Sequence, residues 1–338
     1  MREWMNQVLC GDCVEILRTA KGPFADVVFA DPPFNIGYKY DKYHDEKASD
    51  KYLAWTQDWV RACVGVLKPH GSFYIAIGDE YAAQIKLIME DELGLTLRNW
   101  IIWHYTFGQQ TRNKFARSHT HILYFVKNAK SFTFNDGLVR VISDRQKKYS
   151  DKRANPAGKM PDDVWNEYPR ICGTFRERTG FPCQMPESLL ARIIRISSNE
   201  GDWVLDPFCG SGTTAVVAHK LNRGFTTIDI SEEYVEAAKE RIAESEGLPV
   251  EGNGSPDWPE HADAELRWLY GENKIPVRHL RANRALLSLF TDKLNGRLRK
   301  KQPYTIKEVS DRLNLLGSKL APLDKTSSVQ MEASSFDE

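Results

Sequence analysis

The chain is 338 residues long and carries 46 basic against 46 acidic side chains, a formal net charge of zero. Nucleic-acid binders usually run basic, so the balance taken at face value argues against a protein that works on polyanions. The longest uninterrupted apolar runs, Phe73–Ile77 and Ile122–Val126, are five residues, far short of a membrane span.

Strands and helices alternate over roughly the first 130 residues. Residues 25–30 form a short apolar run stopping at Asp31-Pro-Pro, which predicts a buried strand ending in a rigid turn. Leu53, Trp59, Val60, Val64 and Leu67 have helical spacing over 51–67, and the pattern stops at Lys68-Pro-His-Gly. Residues 72–77 read as a strand, 80–90 as a helix and 122–126 as another strand. Between Asp136 and Pro169 the periodicity fails, and an irregular stretch of that length inside a compact domain is functional or disordered.

Regular structure resumes with a helix over 186–197, a strand ending at Asp206, a glycine turn and a helix over 213–221. A strand over 225–230 and an acidic helix from Ser231, its N-cap, to Glu244 follow. Residues 247–259 are rich in Gly and Pro, a basic helical segment runs on to Leu320, and the end from Thr326 reads as disordered. The alternation points to an α/β protein with a doubly wound, mostly parallel sheet. No apolar signal segment opens the sequence, which predicts a cytoplasmic address. Cys10 and Cys13 make a lone C-x-x-C that Cys172 and Cys183 could extend to four thiolates, but reduced, packed cysteines are the simpler reading and no metal is expected.

Zero net charge is an average over segments of opposite sign. Residues 103–135 contain no acid and, with Arg112, Lys114, Arg117, Lys127 and Lys130, carry +5. Residues 138–178 carry +4, residues 225–272 carry −10, and residues 273–320 carry +9. Such segregation is a physical signal even when the sum vanishes.

Two motifs carry chemistry. Asp206-Pro-Phe-Cys-Gly-Ser-Gly-Thr-Thr joins a strand end, a turn with Gly210 and Gly212, and a helix start. Glycines there let backbone approach a ligand, and Asp229, 17 residues after Gly212 at the next strand end, is placed to hold two ribose hydroxyls. The other reading is a tight turn without ligand. The second motif is Asp31-Pro-Pro-Phe-Asn. Consecutive prolines fix the backbone, so a carboxylate beside a fixed carbonyl can accept both hydrogens of an exocyclic amino group while the ring of Phe34 stacks on a flat heterocycle. D-P-P alone is also a common strand stop.

At these residues the sequence resembles the DNA amino-methyltransferases, which use S-adenosylmethionine. Asp31, Pro32, Pro33 and Phe34 look like the catalytic D-P-P-Y/F motif, and Asp206, Phe208, Gly210, Ser211, Gly212 and Thr213 look like the F-x-G-x-G cofactor loop. Cys10-Gly-Asp-Cys resembles the element whose aspartate holds the cofactor adenine, which implies that role for Asp12 with Cys13 beside it. Residues 180–186 resemble the Q-x-P segment along the methionine end, implicating Gln184 and Pro186, and Asp229 matches the ribose position. The catalytic block precedes the cofactor loop, as in the β group, whose interposed region reads the target sequence.

The resemblance implies a Rossmann-like class I methyltransferase fold, with a catalytic half at 1–135, a target-recognition insert at 136–172 and a cofactor half at 173–246. A linker at 247–265, a basic helical extension at 266–325 and a tail at 326–338 complete the expected layout. The implied reaction is methylation of a flipped base in double-stranded DNA, adenine N6 being favoured by aspartate at position 31 and cytosine N4 the alternative. Arg112, Lys114 and Arg117, near Tyr105, Phe107, Phe115, His119 and His121, are expected at phosphates. Arg145, Lys147, Lys148, Lys152 and Arg153 are candidates for target reading. A restriction endonuclease partner and a homodimer are further expectations. Competing readings are an RNA or protein-amide methyltransferase and a non-catalytic, methyltransferase-like DNA-binding module; a nicotinamide dehydrogenase is disfavoured because Ala215 stands where a third glycine belongs.

Overall fold

The computed structural model describes residues 2–38, 41–43, 45–109, 112–149, 151, 153–155, 157–171, 177–181, 183–247, 258, 260–298 and 303–320. The chain divides into two compact units, Met1–Val139 with Pro161–His261, and Arg140–Met160 with Ala262–Glu338. The division separates charge: the second unit carries +9 and the first −9.

In the first unit β1 (Gln7–Cys10), α1 (Cys13–Arg18), β2 (Ala25–Ala30), α2 (Ser49–Val66), β3 (Leu67–Ile77) and α3 (Ala82–Leu87) follow in order, with α3 running into a π-turn at Ile88–Glu92. Next come β4 (Thr96–Gln109), β5 (Arg117–Val126) and α4 (Asp136–Val139). After the excursion through the second unit, which holds α5 (Asp144–Tyr149), the chain returns as β6 (Val164–Trp165), α6 (Glu187–Ser197), β7 (Trp203–Asp206), α7 (Thr213–Lys220), β8 (Gly224–Asp229) and α8 (Glu232–Gly247).

The eight strands form one sheet in the order β1-β8-β7-β2-β3-β5-β4-β6. Only β5 pairs antiparallel to its neighbours. Strand alternation sends Val28, Phe73 and Ile75 into the large core with Trp59, Val60 and Cys63 of α2. Tyr74 points the other way, its hydroxyl 2.7 Å from Ser197 Oγ at the end of α6. Helices therefore cover both faces, which is why β2 is buried along its whole length and reads as a continuous apolar run. Its one charge, Asp26, is buried but accepts from Lys68 Nζ (2.7 Å) and the Trp203 amide (2.8 Å) and lies 2.9 Å from His70 Nε2, tying β2 to β3 and β7.

The short β1 and α1 and the long β4 carry no clear apolar period, and sequence reasoning passed over them. The polar stretch expected as one insert at 136–172 is divided by the structure. Residues 140–160 belong with the C-terminal helices, whereas Val164–Trp165 returns to pair with β4 at Ile102 and Trp103. Trp165 and Tyr168 then pack on the Arg192 guanidinium, which pairs with Glu167 at 2.5 Å.

The second unit is built from α5, α9 (Glu260–Asn273), α10 (Val277–Ala282), α11 (Arg284–Leu298) and α12 (Ile306–Leu320). Helix α9 thus begins inside the stretch expected as a linker. Asn273, wholly buried, donates to Leu269 O and accepts from the Ile142 amide at 2.8 Å, while its own carbonyl takes Lys147 Nζ at 2.7 Å. Lys293 Nζ reaches the carbonyls of Arg140 and Ala157. Burial, then Arg297 and Arg140, push that ammonium down to about 8. Buried pairs, Arg312 with Asp263 and Arg297 with Glu272, hold the helices together.

Candidate active site

Four aspartates stand at the carboxyl ends of four adjacent parallel strands. In spatial order they are Asp12 after β1, Asp229 closing β8, Asp206 closing β7, and Asp31 after β2. The chain leaves the sheet centre in opposite directions from β2 and β7, and a crevice opens at such a switch point. A cavity of about 320 Å³ occupies it, lined by all four aspartates.

The Asp31 turn is held from outside. Tyr52 of α2 donates its hydroxyl to the Pro33 carbonyl at 2.7 Å. Asn35, at φ 58°, donates to Lys47 O and the Tyr81 hydroxyl, both at 2.9 Å. The buried Asp45 carboxylate accepts the amides of Asn35, Ile36 and Tyr38. The Asp31 carboxyl has no hydrogen-bond partner among the described residues, although Asp31, Pro32, Pro33 and Phe34 all line the cavity. Burial, and then Asp206, raise its pKa to about 8.

The glycine turn is equally determined. Asp206 accepts from the Phe208 amide (2.9 Å) and from Thr214 Oγ1 (2.5 Å), so its carboxyl builds the turn. Burial raises it to about 7 against those two bonds. Gly210, at φ 48°, donates its amide to Asp229 Oδ2, and a Cβ there would stand 2.8 Å from the Phe181 ring. Gly212 does not line the cavity. It is glycine because α7 and α8 meet there, a Cβ falling 2.8 Å from that of Ala238 with φ at 72°. Gly212→Ala is expected to destabilise the first unit by about 2–4 kcal/mol through overpacking and left-handed strain. Its melting temperature should fall by about 5–10 °C in calorimetry; an unchanged value would refute the close-packing account.

Behind the turn, Arg241 of α8 donates to Ser211 O (2.9 Å) and Thr213 Oγ1 (2.8 Å) and pairs with Glu187 of α6. Glu177 accepts the Glu187 amide at 2.9 Å, and burial beside Glu187 raises it to about 7. Gln184 lines the cavity with its amide already occupied, its oxygen taking the Thr179 amide and hydroxyl. Pro186 lies off the cavity at the N-cap of α6. Asp12 caps α1 through Oδ1, which accepts from Val14 and Glu15 amides. Cys13 lines the wall beside it as a thiol raised to about 12 by burial and then by Asp12.

Beyond Phe34 the cavity extends into a chamber of Trp103, Tyr105, Arg117, His119, Thr120 and Arg170. Arg117, expected at phosphate, is instead paired with Asp79 at 2.7 Å and with Glu80, which cancels its charge locally. Arg112 and Lys114 are exposed in the preceding loop. Of the residues proposed to read the target, Arg145 is exposed, Arg153 forms a two-bond pair with Asp151, and Lys147 is anchored to Asn273. Lys152, the Lys148 side chain and Cys172 lie outside the described residues. Tyr52, Asp45, Tyr81, Arg241 and the chamber residues were not foreseen. They come from distant elements, and nothing in their spacing marks them.

The residues suit a cationic nucleoside. Four carboxylates face one cavity, Asp12 keeps one oxygen uncommitted, and Gly210 leaves space that a Cβ would fill. A sheet of this topology with such a crevice defines a class I methyltransferase. The profile of the N6/N4 DNA methylase family matches residues 25–240, and the chain belongs to that family. It is 39% identical over 237 residues to the Type II methyltransferase M.HpaI of Haemophilus parainfluenzae, covering 70% of this chain and 74% of the relative. It is 36% identical over 243 residues to the DNA adenine methyltransferase YhdJ of Escherichia coli (strain K12), covering 70% and 82%.

Among solved structures, the cytosine-N4-specific PvuII DNA methyltransferase aligns with TM-score 0.56 at 20% identity, over 79% of this chain and 93% of that one. A DNA modification methylase of Thermus thermophilus complexed with S-adenosyl-L-methionine, TTHA0409, aligns with TM-score 0.51 at 23% identity, covering 72% and 95%. Both share the fold. The chain is a DNA methyltransferase, and S-adenosylmethionine is its methyl donor. No helix among the described residues is long and apolar enough to cross a membrane.

Proposed function

We propose that this methyltransferase modifies the N6 amino group of an adenine flipped out of duplex DNA, at one target sequence. The observation that carries the reading is the Asp31 carboxyl, unpartnered among the described residues where the cofactor crevice meets the aromatic chamber. Inside the base stack the amino group is unreachable, so the nucleotide must be extruded. When bound, S-adenosylmethionine supplies a sulfonium-attached methyl group that an amine can displace, leaving a neutral thioether.

Asp12, Gly210 and Asp229 are placed to hold its nucleoside part at the ends of β1, β7 and β8. Phe34 offers its ring to the base. Tyr52 already occupies the Pro33 carbonyl, which leaves the Pro32 carbonyl and the Asp31 carboxylate to accept the two amino hydrogens. Those acceptors favour a pyramidal nitrogen with an available lone pair. Positioning supplies most of the rate in such a two-substrate site. The proton lost from nitrogen goes to Asp31, whose raised affinity suits it as acceptor.

Asp31 at the head of the motif favours adenine over cytosine, in keeping with the adenine methyltransferase YhdJ among the relatives. Arg112 and Lys114, together with Arg145 and the net +9 of the second unit, supply charge for phosphate contacts and target reading. Protein partners in keeping with this role are an endonuclease cleaving the same unmethylated site and a second copy of the chain; co-purification and size-exclusion chromatography test each. A DNA substrate places the enzyme in the cytoplasm. Expression in a methylation-free host followed by mapping of modified bases should show N6-methyladenine in one sequence context. Cytosine modification would overturn the base assignment, and unmodified DNA alongside soluble, cofactor-binding protein would overturn the whole reading.

A further inference from the structure

Phe115 is fully exposed, at 101% of its reference area, on a protein whose other large apolar side chains are mostly packed. It stands in the loop between β4 and β5, with exposed Arg112 and Lys114 on the same loop and no acid from Trp103 to Asn135. Two residues further on, Arg117 lines the base chamber and is clamped by Asp79 and Glu80. Two residues of chain span at most about 7 Å, so the ring projects from the chamber rim itself. The clamp gives the loop a fixed root.

An aromatic ring bared to water amid cations suits one occupant, a polyanion with a stacked apolar interior. Duplex DNA has that chemistry, and extruding a nucleotide opens a gap in its stack that an apolar side chain can fill. We propose that Phe115 is a wedge, entering the base stack at the step vacated by the target adenine while Arg112 and Lys114 hold the flanking phosphates. This rests on the flipped-base reading above. It assigns Phe115 a positioning role, since the ring acts on the DNA and touches no reacting atom.

The test uses duplexes carrying the mapped target, with the target adenine either paired to thymine or opposite an abasic site that already frees it. Phe115→Ala should slow single-turnover methylation of the paired duplex about tenfold or more, because a lost stacking contact is worth a few kcal/mol. On the abasic duplex the variant should come within about twofold of the parent, because the unstacking is already done. Cofactor affinity should not move. Phe115→Leu, which keeps an apolar wedge, should retain most of the rate; Phe115→Lys, which keeps charge attraction alone, should not. Equal slowing on both duplexes, or no slowing on either, would overturn the proposal. With 2-aminopurine at the target, the parent protein should raise fluorescence and Phe115→Ala should raise it less. A parent protein that raises none would refute flipping itself, and equal rises would refute only the wedge.

Discussion

Replacing Asp31 by alanine is expected to lower methyl transfer by roughly a thousandfold or more, the scale seen when a charge-stabilising group is removed from a reaction centre. Cofactor affinity should change by no more than about threefold. The asymmetry follows from how the turn is built. Asp31 makes no hydrogen bond that holds its own loop, whereas Pro33 is fixed by Tyr52 and Asn35 is fixed by Lys47 and Tyr81. Removing the carboxyl therefore leaves the loop, the Pro32 carbonyl and the cofactor crevice standing. Asp31→Asn should be nearly as inactive, because its amide offers one acceptor oxygen and turns a donor toward the amino group. Single-turnover methylation and isothermal titration with S-adenosylmethionine check both variants. Parallel loss of binding and transfer would show that Asp31 supports the cofactor site instead.

Proton release should accompany cofactor binding, and this is the second large effect. Asp31 is raised to about 8 by burial and Asp206, and Asp206 to about 7 chiefly by burial. A sulfonium beside them favours the carboxylate forms, so binding it must expel a proton while either group is protonated. Affinity for S-adenosylmethionine is then expected to rise with pH from 6 to about 8, by up to tenfold per unit if one proton leaves, and to level above. S-adenosylhomocysteine, whose sulfur is neutral, should show a shallower rise. Matching slopes for the two ligands would refute the linkage.

The same shifts have a stability consequence of definite sign. Both carboxyls bind protons more tightly folded than unfolded. Their contribution is complete below the unfolded value of about 4 and declines as pH rises toward 8. Asp31→Asn should accordingly raise the melting temperature, and more at pH 8 than at pH 5. A function-bearing charge that lowers stability is the usual exchange at an active site.

Much of this protein was determined by sequence alone, and the reason is local. The turns at Asp31-Pro-Pro-Phe and Asp206–Gly212 are set by prolines and glycines whose backbone limits act within a few residues. The apolar runs of β2 and β3 and the helical face of α2 are set by periodicity, and both motifs fall at strand ends as expected. Tertiary structure decided what lies far apart in the chain. Pairing of Val27 and Val28 with Val204 and Leu205 puts the two motifs side by side across about 175 residues, a register no local signal encodes.

It also decided which charges are available. Spacing offered Arg117 as a phosphate contact, but Asp79 and Glu80 at the end of β3 neutralise it and make it a wall of the chamber. Spacing offered 136–172 as one insert, but Asn273 and Lys293 capture residues 140–160 for the C-terminal helices. The zero net charge conceals a division that became plain only once the units were known, +9 on one and −9 on the other. Backbone limits and hydrophobic period act over a few residues and can be read in order. Ion pairs and strand register join residues distant in sequence, and only the folded chain brings them together.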